Sequence, residues 1–221
     1  AEGGNVTAID SASGSHPDDQ LGHRLAHLGL SVDLLAEARG LAQADVDQCT
    51  DLDPPGFRGA VRTARTMRYL REALIPLGWT PDDSGNQPSV VSPDGRTGIV
   101  CTSGDLATGL DYARPKTKYP KGDVTQRRVR ANRQLSLFDA EPTDGEPATS
   151  EERTTWLLLQ CPAGDIVRAE LSCPDGFDNT GRVDRWSDRI IIPDLETDSY
   201  ETWIPEDGDD DGTLDVPVHP R

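Results

Sequence analysis

The sequence predicts an α+β protein in which N-terminal helices precede an antiparallel sheet. Apolar residues recur at helical spacing in the first third of the chain, whereas short β-branched runs flank turn residues further on. We expect the sheet to contain two hairpins and one further strand. Between the hairpins we expect a long disordered insertion with a basic part and an acidic part.

Two helical regions are predicted before the first hairpin. In the first region apolar residues lie three or four apart, and Gly29 and Gly40 indicate breaks in the helical pattern. The proline- and glycine-containing stretch at 51–56 breaks this pattern, and a second amphipathic helix is expected over about 57–77. The apolar positions of the first region are Leu21, Leu25, Leu28, Val32, Leu35 and Ala38.

Three sequence stretches indicate strands. SVVSPDGRTGIVCTSGD has β-branched runs on both sides of a turn at 93–95, which predicts a hairpin. A second hairpin is predicted from TWLLLQC and IVRAELS, which are joined by a turn at 162–165. The run RIIIP at 189–193 predicts a last strand that ends on a proline.

These patterns divide the 221-residue chain into segments of one domain with flanks and an insertion. The expected segments are a disordered N-terminus (1–17), the helices and first hairpin (18–109), a flexible basic segment with an apolar patch and an acidic spacer (110–153), the second hairpin and last strand of the same domain (154–205), and an acidic tail (206–221).

Charge is distributed unevenly along the chain. The total of −17 disfavours nucleic acid on average, but residues 114–133 carry eight basic residues and one acid. Subtracting the +7 of this basic run from the total leaves −24 on the rest of the chain. We expect the basic run to contact DNA phosphates without sequence preference, and a solvated linker is the alternative. Its basic residues are Arg114, Lys116, Lys118, Lys121, Arg127, Arg128, Arg130 and Arg133.

The pentapeptide QLSLF follows the basic run directly and comprises Gln134, Leu135, Ser136, Leu137 and Phe138. It resembles the bacterial sliding-clamp-binding motif, Gln-Leu-(Ser or Asp)-Leu-Phe, at every position. The resemblance implies a peptide that lies extended in a pocket of the clamp, with the last two residues in an apolar cavity and the glutamine fixing the register. It covers five residues only, and an ordinary short strand is the alternative interpretation.

The sequence indicates neither a metal site nor a cofactor site. His23 and His27 lie one helical turn apart, but no third ligand is evident. The acidic stretch at 207–215 resembles the start of a calcium loop, yet Val218 occupies the position where glutamate is needed. The four cysteines have no zinc spacing, and we expect them to be free thiols.

These features favour a cytoplasmic, non-enzymatic accessory protein that docks on the sliding clamp and makes weak DNA contact, with no membrane association. DNA replication, repair, or plasmid and phage biology could use such a protein. One alternative is an acidic DNA mimic that inhibits a DNA-binding protein, which the −24 outside the basic run suggests. Another is a clamp-recruited DNA-processing enzyme. Asp165 and Glu170 flank a predicted strand, but no lysine follows to complete a nuclease arrangement.

Overall fold

Both predicted hairpins lie inside a six-stranded sheet in the computed structural model, which describes residues 17–137 and 152–197. The α+β class is therefore confirmed, with one strand more than expected. The strands are β1 (Thr80–Asp82), β2 (Ser89–Val91), β3 (Thr97–Ser103), β4 (Thr154–Ala163), β5 (Ile166–Phe177) and β6 (Val183–Glu196).

The sheet is mixed rather than antiparallel, which corrects the prediction. The strands follow one another in chain order across the sheet, and neighbours run antiparallel except for β3 and β4. These two pair in parallel, from Thr97 beside Thr154 to Ser103 beside Gln160. Parallel neighbours need a long crossover connection, and residues 104–153 supply it.

Helices form before the sheet, as predicted, but the first predicted helical region is divided into two helices, so that three precede the sheet. They are α1 (Pro17–His27), α2 (Val32–Asp47) and α3 (Phe57–Leu74). Ser31 is the N-cap of α2, and its Oγ accepts a hydrogen bond from Leu34 N at 3.2 Å. Gly78, with φ of 88°, follows the short 3-10 turn Ile75–Leu77 and lets the chain leave the helix for β1.

A fourth helix, α4 (Asp123–Leu137), lies inside the segment that was expected to be disordered. The expectation of disorder is therefore wrong for residues 123–137, whereas 138–151 lie outside the described residues. The helix contacts β4 and β5, and Gln87 Nε2 donates to Thr125 Oγ1 (2.7 Å) near its start.

Helices cover both faces of the sheet, because side chains alternate along each strand. On β4, Leu158 belongs to the apolar cluster that α1, α2 and α3 form with one face. Its neighbours Leu157 and Leu159 belong to a smaller cluster on the opposite face, together with Val129 of α4. Three layers result, with the sheet in the middle.

Of the predicted disordered N-terminus (1–17), only residue 17 is described, and it is the first residue of α1. The predicted acidic tail (206–221) lies outside the described residues. The segment 154–205 is described as far as residue 197. Among the described residues, no helix combines the length and the apolar character that crossing a membrane requires.

Candidate functional site

The side chain of Asn132 fixes α4 to the sheet. Its Oδ1 accepts a hydrogen bond from Thr155 N at 2.8 Å, and its Nδ2 donates to Thr155 O at 2.8 Å. Nδ2 also donates to Pro174 O at 3.2 Å, so one amide joins the helix to both β4 and β5. Asn132 is buried, and it satisfies backbone groups that would be costly to leave unpaired in this position.

The middle of α4 is held at a shared carboxylate. Arg128 Nη2 lies 3.9 Å from Asp82 Oδ2, which also accepts a hydrogen bond from Arg153 Nη1 at 2.8 Å. Hydrogen bonds from Ser84, and then the Arg153 guanidinium, lower the pKa of Asp82 to about 2. The carboxylate thus connects α4 to β1 and to the residue that precedes β4.

Three of the eight predicted phosphate-contacting residues interact with other side chains of the protein. Lys116 Nζ lies 3.1 Å from Asp178 Oδ2, and Lys121 Nζ donates to Thr102 Oγ1 at 2.6 Å. Burial lowers the pKa of both Lys121 and Arg128. These three residues stabilise the crossover, and the DNA contact expected of them has no support from their geometry.

The other five predicted residues are exposed: Arg114, Lys118, Arg127, Arg130 and Arg133. Lys118 Nζ lies 5.7 Å from the centre of the exposed Tyr119 ring. Three of the arginines recur every third residue on the exposed surface of α4. Two of these, Arg130 and Arg133, line a small groove together with Arg185 of β6.

The pentapeptide begins in the last turn of α4. Gln134 is exposed and Leu135 is half-buried, whereas Phe138 lies outside the described residues. Residues 134–137 are helical, so the alternative of a strand laddered into the sheet is wrong for them. Of the two residues that the clamp resemblance places in a cavity, Leu137 is the last described residue of α4.

Sequence reasoning missed a buried ion pair on the α4 side of the sheet. Glu170 is fully buried, and its two oxygens accept hydrogen bonds from Arg189 Nε (3.0 Å) and Nη2 (2.6 Å). Gly109 N and Ser172 Oγ complete its partners. Arg189 also donates to Ala113 O at 2.6 Å, which ties the crossover loop to the sheet. The carboxylate is therefore occupied within the protein.

Within 17–137 and 152–197, no three histidine, cysteine or acidic residues converge where a metal ion could bind. His23 and His27 are exposed on α1. The possible calcium loop at 207–215 lies outside the described residues. The cysteines are free, and Cys101, Cys161 and Cys173 are buried.

Comparison with known proteins gives no relative: the chain matches no protein-family model, no curated protein and no solved structure.

Proposed function

We propose that this chain docks on the bacterial DNA sliding clamp through residues 134–138, while its exposed basic residues contact nearby DNA phosphates. The observation that carries the proposal is the complete match of QLSLF to the clamp-binding pattern. Its position adds support, because the match begins at the exposed Gln134 in the last turn of a helix. A segment at a helix end can reach a partner more easily than one inside a sheet.

Docking as an extended peptide requires the last turn of α4 to unwind. This step is inexpensive, because terminal helical carbonyls lack intrahelical partners and fraying ends open with a free energy near zero. The fixed part of the helix ends at Asn132, two residues before the motif. Residues 134–137 can therefore unwind while Asn132 and Val129 keep their contacts with the sheet.

The expected affinity is modest. Burial of one leucine and one phenylalanine contributes about 3–6 kcal/mol before costs. Ordering the peptide and restricting the two proteins remove part of this, which predicts a dissociation constant in the micromolar range. Such an affinity suits transient recruitment to a clamp that already encircles DNA.

The DNA contact is assigned to basic residues with exposed side chains. Arg114, Lys118, Arg127 and Arg130 are exposed and lie on the crossover that carries the motif. Contacts between such residues and phosphates are independent of sequence. They weaken as the salt concentration rises, because the release of counterions from DNA on binding then gains less free energy. Because the rest of the chain is acidic, we expect this contact to be weak without the clamp.

Calorimetric titration of purified sliding clamp with this protein tests the proposal. Leu137→Ala/Phe138→Ala should abolish the heat of binding, whereas a control variant should bind like the wild type. A suitable control is Leu106→Ala/Tyr112→Ala, because both side chains are exposed and lie outside the motif. A synthetic QLSLF peptide verifies that the clamp preparation is active. Equal heats from wild type and the motif variant, or no heat from wild type, would reject docking through QLSLF.

A further inference from the structure

A small groove lies between α4 and the irregular end of β5, with a volume of about 160 Å³. Its charged residues come from α4 and from the β5–β6 hairpin, which are distant in sequence, so the groove exists only in the folded protein. The lining residues are Gln126, Val129, Arg130 and Arg133 of α4, Asp175, Gly176 and Phe177 of β5, and Arg185 of β6.

The groove is strongly positive. Three arginines line it against a single acid, Asp175. Among the residues that the structure describes, neither Arg130 nor Arg185 has a hydrogen-bond or ion-pair partner, although most other arginines here have one. Two guanidinium groups are therefore available to an anion, and guanidinium groups match phosphate oxygens with paired donors.

The backbone of β5 leaves room for the Arg185 guanidinium at the groove. Gly176 pairs with Arg185 in the sheet, and a Cβ at Gly176 would overlap the Arg185 guanidinium in its present position. The guanidinium thus lies across the glycine backbone. The pairing of β5 and β6 shifts register between Cys173 and Phe177, an irregularity of the kind that re-aims side chains beside binding sites.

An aromatic ring adjoins the arginines. Phe177 is half-buried, packs against the apolar cluster under α4, and also lines the groove. Proteins that bind single-stranded nucleic acid combine basic residues that contact phosphates with an aromatic side chain on which a base stacks. In a duplex the bases are already stacked and could not reach a ring in so small a groove.

We propose that this groove binds a single-stranded nucleic acid, with a phosphate between Arg130 and Arg185 and an unstacked base against Phe177. The site extends the DNA contact of the proposed function, and it adds Arg185 and Phe177, which lie far from the basic run in sequence. Its test uses no clamp, so that its failure and the failure of clamp docking are separate results.

The phosphate contact is tested by fluorescence anisotropy with a labelled thymidine oligonucleotide of about twelve residues, within the usual site size of such proteins. Arg130→Gln/Arg185→Gln should weaken binding about tenfold or more at low salt. The control Arg24→Gln/Arg68→Gln removes the same charge from α1 and α3, which cover the other face of the sheet, and should change affinity less than about twofold. An equal loss in both double variants would mean that only the net charge matters.

Asp175→Asn provides a test that misfolding cannot imitate. Removing the single acid from the groove should tighten binding severalfold, because the carboxylate repels phosphate. Unchanged or weaker binding by a folded Asp175→Asn protein would exclude a phosphate in this groove. Inorganic phosphate should compete only at concentrations far above that of the oligonucleotide, and competition at equal concentration would indicate a simple anion site.

The base contact is tested by substitution of Phe177 and by removal of the bases from the oligonucleotide. Phe177→Leu should weaken binding of the thymidine oligonucleotide about fivefold or more, whereas Phe177→Tyr keeps the aromatic face and should bind like the wild type. An abasic oligonucleotide should bind the wild-type protein less tightly than the thymidine oligonucleotide does. It should bind the wild type and Phe177→Leu with equal affinity, because it has no base to stack. Equal binding of the abasic, single-stranded and duplex forms would remove the base contact from the proposal.

Discussion

The side-chain amide of Asn132 pairs with the backbone of Thr155 in both directions, as a neighbouring strand would. The pair lies at the start of β4, where the chain returns to the sheet after the crossover. A helical side chain thereby completes the hydrogen bonding of a strand. These hydrogen bonds fix α4 to the sheet as far as Asn132, two residues before the clamp-like pentapeptide.

Replacement of Asn132 by alanine should destabilise the protein. It removes the hydrogen bonds of this buried side chain to Thr155 N, Thr155 O and Pro174 O, and such losses together cost about 2–4 kcal/mol. Denaturation in urea measures the free energy of unfolding. Gln134→Ala, two residues further along the same helix at an exposed position, is the control and should change it by less than about 0.5 kcal/mol. Similar values for both variants would contradict the role assigned to Asn132.

Arg189→Met should be strongly destabilising, by about 3–5 kcal/mol, because it leaves the Glu170 carboxylate buried without its counterion. The double variant Glu170→Gln/Arg189→Met removes the charge and keeps an acceptor for Gly109 N. We expect it to be more stable than Arg189→Met alone, as a double-mutant cycle would show. Additive losses from the two single variants would mean that the two charges are not coupled.

Stability should fall in acid partly through Asp82. Its pKa is lowered from 3.8 to about 2 in the folded protein, so folding favours the charged form. The resulting stabilisation is complete above the unfolded pKa and is lost as the pH falls through the folded pKa. Asp82→Asn should therefore show a smaller loss of stability between these two pH values than wild type. The exposed Asp19→Asn is the control. Identical acid profiles for wild type and Asp82→Asn would contradict this assignment.

The buried thiols should resist alkylation in the native protein. Burial raises the pKa of Cys101 to about 12 and also raises the pKa of Cys161 and Cys173. Since the thiolate is the reactive form, iodoacetamide at about pH 8 should label the half-buried Cys49 first. Mass spectrometry of native and urea-unfolded samples measures the labelling, and all four cysteines should react after unfolding. Rapid native labelling of Cys101 would contradict its burial.

The helices and hairpins could be predicted because their signals are local. Apolar spacing gives α1, α2 and α3, and turn residues between β-branched runs give the two hairpins. The strand β1 was missed because it has only three residues and contains Pro81, which is tolerated at the edge position that it occupies.

Helix α4 and the parallel pairing could not be predicted from the same signals. The side of α4 that faces the sheet consists of Thr125, Val129 and Asn132, of which only one is apolar, so no hydrophobic period appears. One signal was available in β4, where Leu157, Leu158 and Leu159 are continuous. Such a run is typical of a strand that is covered on both faces, and it indicates that a second layer must exist.

Only some residues of the candidate site could be predicted from the sequence. Arg130 and Arg133 stand out within a basic run, but their groove also needs Arg185, which pairing of β5 with β6 brings to the same place. Conversely, Lys116 and Lys121 belong to the run by sequence and are engaged with Asp178 and Thr102 in the structure. Local charge could not distinguish a side chain that is available from one that is used in folding.

The central claim is that the end of α4 docks on the sliding clamp while the rest of the helix keeps its place on the sheet. Hydrogen exchange of backbone amides, measured by mass spectrometry with and without purified clamp, tests it most directly. We predict that clamp binding slows exchange from residue 134 onward and leaves the amides between Asp123 and Asn132 unchanged. No change at residues 134–138 in the presence of saturating clamp, or protection confined to another part of the chain, would contradict the claim.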